Sequence, residues 1–224
     1  VMDKRFGDPI ITPYASPAVL LQVEIEMADG KRVTVVTDTT STKRQVLAWA
    51  EELLPPGAGF VGGNPLVGSG LSGNKDASPA IFQGAKYAIV ASPSAPQAAV
   101  AEVVKMVEAI GAQAFFLDKD EHDSFVAVMT GLPAVMQSAL MLAAAKSPSW
   151  REISSFIGNE FKDSTRLAGA DPAVTHGMFQ TNSDMMVHWI DEMISQLHQI
   201  KGMVQDGSRD EKDGALMNAL IAAW

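Results

Sequence analysis

No cysteine occurs anywhere in the 224 residues. That excludes disulfides, thiolate metal sites and cysteine nucleophiles together, and makes a reducing, cytoplasmic setting the expected one. Positive charge is scarce as well: 17 Lys and Arg stand against 26 Asp and Glu, for a formal net charge of −9. Broad binding to nucleic acid or to an anionic membrane surface needs clustered cations, so neither is an expected partner. Long apolar runs are also missing. The longest, Leu132 to Ala145, is broken by Gln137 and Ser138 and reads as too short to span a bilayer. The first residues, Val1 to Asp8, carry charge without an apolar core and do not read as a secretory leader. No internal repeat is found. What remains is an ordinary globular balance, 47 % hydrophobic and 19 % charged, with length enough for two domains of about 100 residues.

The first half alternates short β-branched runs with amphipathic helical patterns, the signature of βα units in a parallel sheet. Ile10 to Thr12 reads as a strand stopped by Pro13, followed by a helix from about Pro17 with Val19, Leu20 and Val23 facing inward. Val33 to Thr37 is the clearest strand, after the turn Asp29-Gly30. A helix over 42–54 buries Val46, Ala50, Leu53 and Leu54 and ends at Pro55-Pro56-Gly57, where proline cannot donate the next backbone hydrogen bond. Strands are expected at 60–61, 87–90 and 114–117. Between the last two, Val100, Val103, Val104, Val107 and Ile110 recur at helical spacing and Gly111 stands where a left-handed cap is wanted. After residue 118 strand signals vanish. Asp120 is expected to cap a long helix, Ser149 and Glu152 have capping-box spacing, and Asp171-Pro172 opens another helix. Met185 to Ile200 carries a wide apolar stripe, Asp206 to Gly214 is polar, and Ala215 to Trp224 is a short apolar helix. The expected division is an α/β domain over 1–118 and an all-helical domain over 119–224.

Three segments carry a specific signal when taken together: VVTDTTSTK at 35–43, FVGGNPLVGSGLSG at 60–73, and FKDSTRLAGADP at 161–172, with Asn182 beyond it and EHD at 121–123 opening the long helix. In this order and at these separations they resemble the prephenate/arogenate dehydrogenase family, over roughly residues 9 to 200. The resemblance implies the C-terminal part of a Rossmann-like parallel-sheet domain followed by a helical dimerisation domain. The implied activity is an NAD- or NADP-dependent oxidative decarboxylation toward tyrosine: hydride leaves the ring carbon bearing the hydroxyl, a base takes the hydroxyl proton, and carbon dioxide departs. It implies a small dicarboxylate or amino-acid substrate and a homodimer, and no metal. By the same resemblance Ser41 stands near the substrate hydroxyl, Arg166 binds substrate carboxylate, a task suited to its planar fork, and Thr130 lies in the substrate-binding stretch. Thr12, Pro13, Asp38 and Gly63 are expected beside the cofactor, since open α/β sheets bind ligands at the carboxyl ends of their strands.

The chain departs from the family pattern in three ways. Asn64 stands where the family's GGHP motif has its proton-accepting histidine, and a carboxamide has no useful basicity near neutral pH. Thr130-Gly131-Leu132-Pro133-Ala134 stands where the family has S-H-L-P-H, so both histidines there are gone. The first βαβ unit, whose glycine-rich turn cradles the pyrophosphate, is absent from these residues, either by truncation or in a shortened relative. Two functions follow: a dehydrogenase working slowly with an amide at 64, or a non-catalytic relative that keeps a carboxylate site and a dimer scaffold.

Each site reading has a plainer competitor. Ser41 and Lys43 would be the cap and a solvated lysine of the helix after them, and Gly62-Gly63 an ordinary tight turn. Arg166 would be a surface arginine. His122 reads as a first-turn surface histidine, and Asp120, Glu121 and Asp123 as an acidic helix start favoured by the dipole. Met136, Leu140, Trp189, Ile190, Met193, Leu216, Leu220 and Trp224 are candidates for a dimer interface.

Overall fold

The computed structural model describes residues 20–26, 32–67, 78–169, 172–207 and 214–224. The expected strand at 10–12, Thr12, Pro13, the turn at Asp29-Gly30 and Asp171 fall outside them.

Five strands, β1 (Leu20–Glu26), β2 (Arg32–Asp38), β3 (Ala58–Pro65), β4 (Lys86–Ala91) and β5 (Gln113–Phe116), form one sheet in sequence order. The sheet is mixed, which corrects the all-parallel expectation: β2–β3 and β4–β5 are parallel, while β1–β2 and β3–β4 are antiparallel. The connections explain the difference. Helix α1 (Arg44–Leu53) crosses between β2 and β3, and α2 (Gln97–Ala109) between β4 and β5; crossover helices return the chain in the same direction. The connection from β3 to β4 has only a short 3₁₀ turn, Pro79–Phe82, among its described residues, and the chain reverses. Leu20–Glu26, expected as helix, is a strand on the edge of β2, with Leu20 opposite Asp38 and Glu26 opposite Arg32. Its sequence, LLQVEIE, alternates at period two, and pairing on an open edge overrides its helical spacing.

Strand alternation sends residues to two cores. Val35, Val61, Tyr87 and Ile89 pack on Ala99, Val103 and Val107 of α2. Val36, Phe60 and Val90 pack on Leu47 of α1 from the other face. At Gly59 the sheet and α2 touch backbone to ring: a Cβ there would stand 2.6 Å from Pro96 Cδ. Gly111 takes the left-handed φ of +81° after α2, as its spacing predicts.

Beyond β5 the described residues are all helical: α3 (Lys119–Val126), a π-helical turn (Ala127–Gly131), α4 (Leu132–Ala145), α5 (Trp150–Ser155), α6 (Asn159–Thr165), a 3₁₀ turn (Arg166–Gly169), α7 (Pro172–Thr181), α8 (Ser183–Gly207) and α9 (Ala215–Ala223). The cap of α3 is Asp118, which accepts the Asp120 and Glu121 amides, not Asp120. Ser149 makes no side-chain cap, so the capping box does not form. From Lys119 to Ala145 the helix is continuous over 27 residues, with an 18-residue window of mean hydropathy 1.7. By length and composition alone the whole helix is long and apolar enough to cross a membrane; its apolar part, Leu132–Ala145, is 14 residues. Its π turn immediately precedes Pro133, whose missing N–H and ring disturb the α ladder there. Gln137 accepts the Leu167 amide at 2.6 Å, and α3 at its start is tied to the sheet by buried polar groups.

Candidate functional site

The site grows from the carboxyl end of β2. Asp38 is buried there and uses both carboxylate oxygens: Oδ1 accepts the Gly63 amide at 2.9 Å, and Oδ2 accepts the Thr40 amide at 2.9 Å, the Thr40 hydroxyl and the Lys43 ammonium at 2.6 Å. Lys43 is fully buried and also donates to the Thr40 carbonyl at 2.8 Å. It is therefore an internal ion, not a solvated lysine. Burial pushes its ammonium below the usual lysine range, against the pull of Asp38. Removing one member of such a pair strands the other in a medium that solvates it poorly.

Gly62 and Gly63 of β3 are required by this packing. A Cβ on Gly62 would stand 2.9 Å from Lys43 Cδ and from the Val90 carbonyl. On Gly63 it would stand 2.6 Å from the Asp38 carbonyl and 2.7 Å from the Tyr87 hydroxyl. Burial, and then the Asp38 charge, push that phenol up to about 12. The spacing G-x-G-x-x-G does occur in the chain, at Gly57-Ala58-Gly59-Phe60-Val61-Gly62, but it runs into and along β3 instead of opening a helix. It is no phosphate cradle, which needs helix N-terminal amides behind the turn. A second match, Gly68 to Gly73, lies outside the described residues.

Helix α1 receives its cap from 80 residues away. Asp123 of α3 accepts the Lys43 amide at 2.7 Å and the Arg44 amide at 3.0 Å; Ser41 is not the cap. Burial opposes ionisation of Asp123, yet the His122 hydrogen bond and those two amides outweigh it and hold the carboxyl below the usual range. His122 Nδ1 lies 2.8 Å from Asp123 Oδ1, and its Nε2 lies 3.1 Å from Asn64 Nδ2. At 1 % exposure His122 is an interior residue facing the motif asparagine, not a surface histidine. Asn182, also fully buried, donates to the Asp123 carbonyl at 2.8 Å and accepts from Arg44 at 3.0 Å. Arg44 forks onto Asp184, and that contact lowers the Asp184 carboxyl to about 2. One polar network thus joins β3, α1, α3 and the start of α8.

Ser41 is partly exposed in the turn before α1, and Asn64 is 8 % exposed at the end of β3. Thr130 is exposed on the π turn, and Arg166 is exposed where α6 passes into its 3₁₀ turn. Among the described residues no hydrogen bond or ion pair joins Arg166 or Thr130 to Ser41 or Asn64. Gly131 is pressed against α8, and a Cβ there would overlap Met186 Sδ; the buried Met186 fills that side of position 131. Sequence reasoning missed Lys43, Arg44 and His122 as members of this network. The EHD segment was the signal for His122 and Asp123.

For a dinucleotide the residues present supply the carboxyl ends of β2 and β3. Among the described residues no glycine-rich turn leads from a strand into a helix, so they fit the nicotinamide end at most and not the pyrophosphate.

The fold is an α/β domain joined through a buried polar network to a helical domain, and comparison matches each part to a family model. Residues 15–116 match the family model of the prephenate dehydrogenase nucleotide-binding domain, and residues 118–220 that of the prephenate dehydrogenase dimerization domain. The chain belongs to the prephenate/arogenate dehydrogenase family. It is 27 % identical over 197 residues to a prephenate dehydrogenase of Bacillus subtilis, covering 88 % of this chain and 53 % of that one. It is 25 % identical over 183 residues to a cyclohexadienyl dehydrogenase of Zymomonas mobilis, covering 79 % and 61 %. It therefore spans little more than half the length of these relatives. Its fold is similar to that of an Aquifex aeolicus prephenate dehydrogenase solved with hydroxyphenyl propionate and NAD+: TM-score 0.74, 23 % identity, covering 84 % of this chain and 64 % of that one.

Proposed function

We propose that this chain is the substrate-handling part of an NAD- or NADP-dependent dehydrogenase that oxidises and decarboxylates prephenate or arogenate, and that it works slowly. The observation that carries this reading is Asn64, buried at the motif position with its amide nitrogen 3.1 Å from His122 Nε2. Bound NAD or NADP would supply the hydride acceptor, with Thr12, Pro13, Asp38 and Gly63 on its nicotinamide side. Ser41 lies near the substrate hydroxyl, Asn64 hydrogen-bonds it, and Arg166 and Thr130 take the far end, the guanidinium pairing with a carboxylate. An amide at 64 keeps the hydrogen bond without the basicity, and loss of a general base costs about 10²- to 10⁴-fold in rate. A cytoplasmic homodimer, paired through the helical half, goes with this reading.

A second reading has its own support. No imidazole stands at 64, 131 or 134, so a carboxylate-binding, non-catalytic relative would carry the same residues. Nicotinamide reduction with prephenate and with arogenate, by this chain supplied with a complete nucleotide-binding half and tested with both cofactors, separates the two. The dehydrogenase reading expects turnover below about 1 s⁻¹, raised in kcat more than in KM by Asn64→His, because the restored interaction acts mainly in the transition state. Ligand binding with no turnover in either protein gives the second reading.

A further inference from the structure

We propose that His122 sets which end of the Asn64 carboxamide meets the ligand, making this position select a hydroxyl that donates; the proposal rests on reading the surroundings of Asn64 as a substrate site. The chain of hydrogen bonds starts at Asp123. Its carboxylate already accepts two backbone amides of α1, from Lys43 and Arg44, and is an acceptor toward His122 too. The hydrogen in the 2.8 Å contact is therefore on Nδ1. A neutral imidazole with its hydrogen on Nδ1 offers Nε2 as an acceptor. The Asn64 atom 3.1 Å away must then be the NH₂ nitrogen, and a planar carboxamide that turns NH₂ toward His122 turns Oδ1 away from it.

An oxygen acceptor discriminates. It is satisfied by a ligand O–H and repels a carboxylate or alkoxide oxygen in the same place. Buried at 1 % exposure, His122 is a positioning residue acting through Asn64. The cap that Asp123 provides to α1 and the orientation of Asn64 are thereby one construction, because the same carboxylate fixes the helix start and the imidazole tautomer.

Two measurements on the full chain test this. Long-range ¹H–¹⁵N correlation of the unliganded protein is expected to show His122 protonated at Nδ1 and unprotonated at Nε2; a hydrogen on Nε2, with or without one on Nδ1, would reverse the amide and overturn the proposal. Binding of hydroxyphenyl propionate is then compared with that of phenyl propionate, which lacks the hydroxyl. The wild type should prefer the hydroxylated ligand about tenfold, the ratio set by one ordinary hydrogen bond. His122→Leu should bring the two ligands within about twofold. His122→Gln, whose carbonyl can take the same Asn64 hydrogen, should restore the preference, which a purely structural role for His122 would not predict. Equal binding by the wild type, or a preference surviving in His122→Leu with its fold intact by circular dichroism, overturns the proposal. If neither ligand binds, the substrate reading is what fails, and the ring-nitrogen result decides the orientation of Asn64 by itself.

Discussion

The two halves of the chain distribute polarity in opposite ways. In the sheet half, charged and polar side chains lie inside: Asp38, Lys43 and Asn64 are buried, and across the junction so are His122 and Asp123. In the helical half, large apolar side chains lie outside. Val187, Ile194, Leu197, Ile200 and Val204 of α8, Leu140 and Leu142 of α4, Leu220 and Ile221 of α9, and Trp224 just after it are exposed, while Met186 near the start of α8 is packed away. An interior polar group persists when its partners are satisfied, and a contiguous exposed apolar surface marks a face that something else covers. The sheet half therefore holds the candidate site, and the helical half presents an apolar face suited to association.

The largest effect that would break this comparison is on the junction. Asp123→Ala leaves two α1 amides and the His122 ring unpaired, and should lower the unfolding free energy by about 3–5 kcal/mol, as loss of one member of a buried charged network does. Denaturant unfolding checks it; a loss under about 1 kcal/mol would mean that water enters and replaces the carboxylate.

Acidification probes the same residue more gently. A carboxyl whose folded value is depressed adds stability that is complete above its unfolded value, about 3.9, and is lost as pH falls through the lower folded value. Midpoints of thermal unfolding should fall below that pH in the wild type and fall less steeply in Asp123→Asn. Parallel slopes would remove Asp123 from the account of acid sensitivity.

The smallest effect on folding is expected in the helical half, where the readout is association. Ile194→Asp with Leu197→Asp should leave the fold within about 0.5 kcal/mol, as exposed substitutions usually do, and should shift a dimer toward monomer in light scattering. A wild-type chain that is already monomeric at micromolar concentration would show that another partner covers this face.

Much of the fold was legible because its signals are local. The β-branched run at 33–37, the helical spacing from Val100 to Ile110 and the glycine at 111 each act within one element. Strand direction was not, since β4 runs against β3 through a connection whose length in chain does not announce its path. The membership of the site was legible in the motif segments, yet the state of its residues was not. Lys43 reads as solvated until Asp38 and Thr40 surround it. His122 reads as exposed until Asn64, 58 positions earlier, closes over its ring. Burial of a polar residue is a property of its distant partners, and helix spacing alone cannot report it.

The ligand site proposed above has Arg166 as its carboxylate anchor. Calorimetric titration of hydroxyphenyl propionate into the wild type and into Arg166→Lys tests it most directly. The account predicts saturable binding, one ligand per chain, weakened about tenfold or more in the variant because an ammonium keeps the charge and loses the two-pronged geometry. No saturable heat with the wild type, or equal affinity in the two proteins, would contradict it.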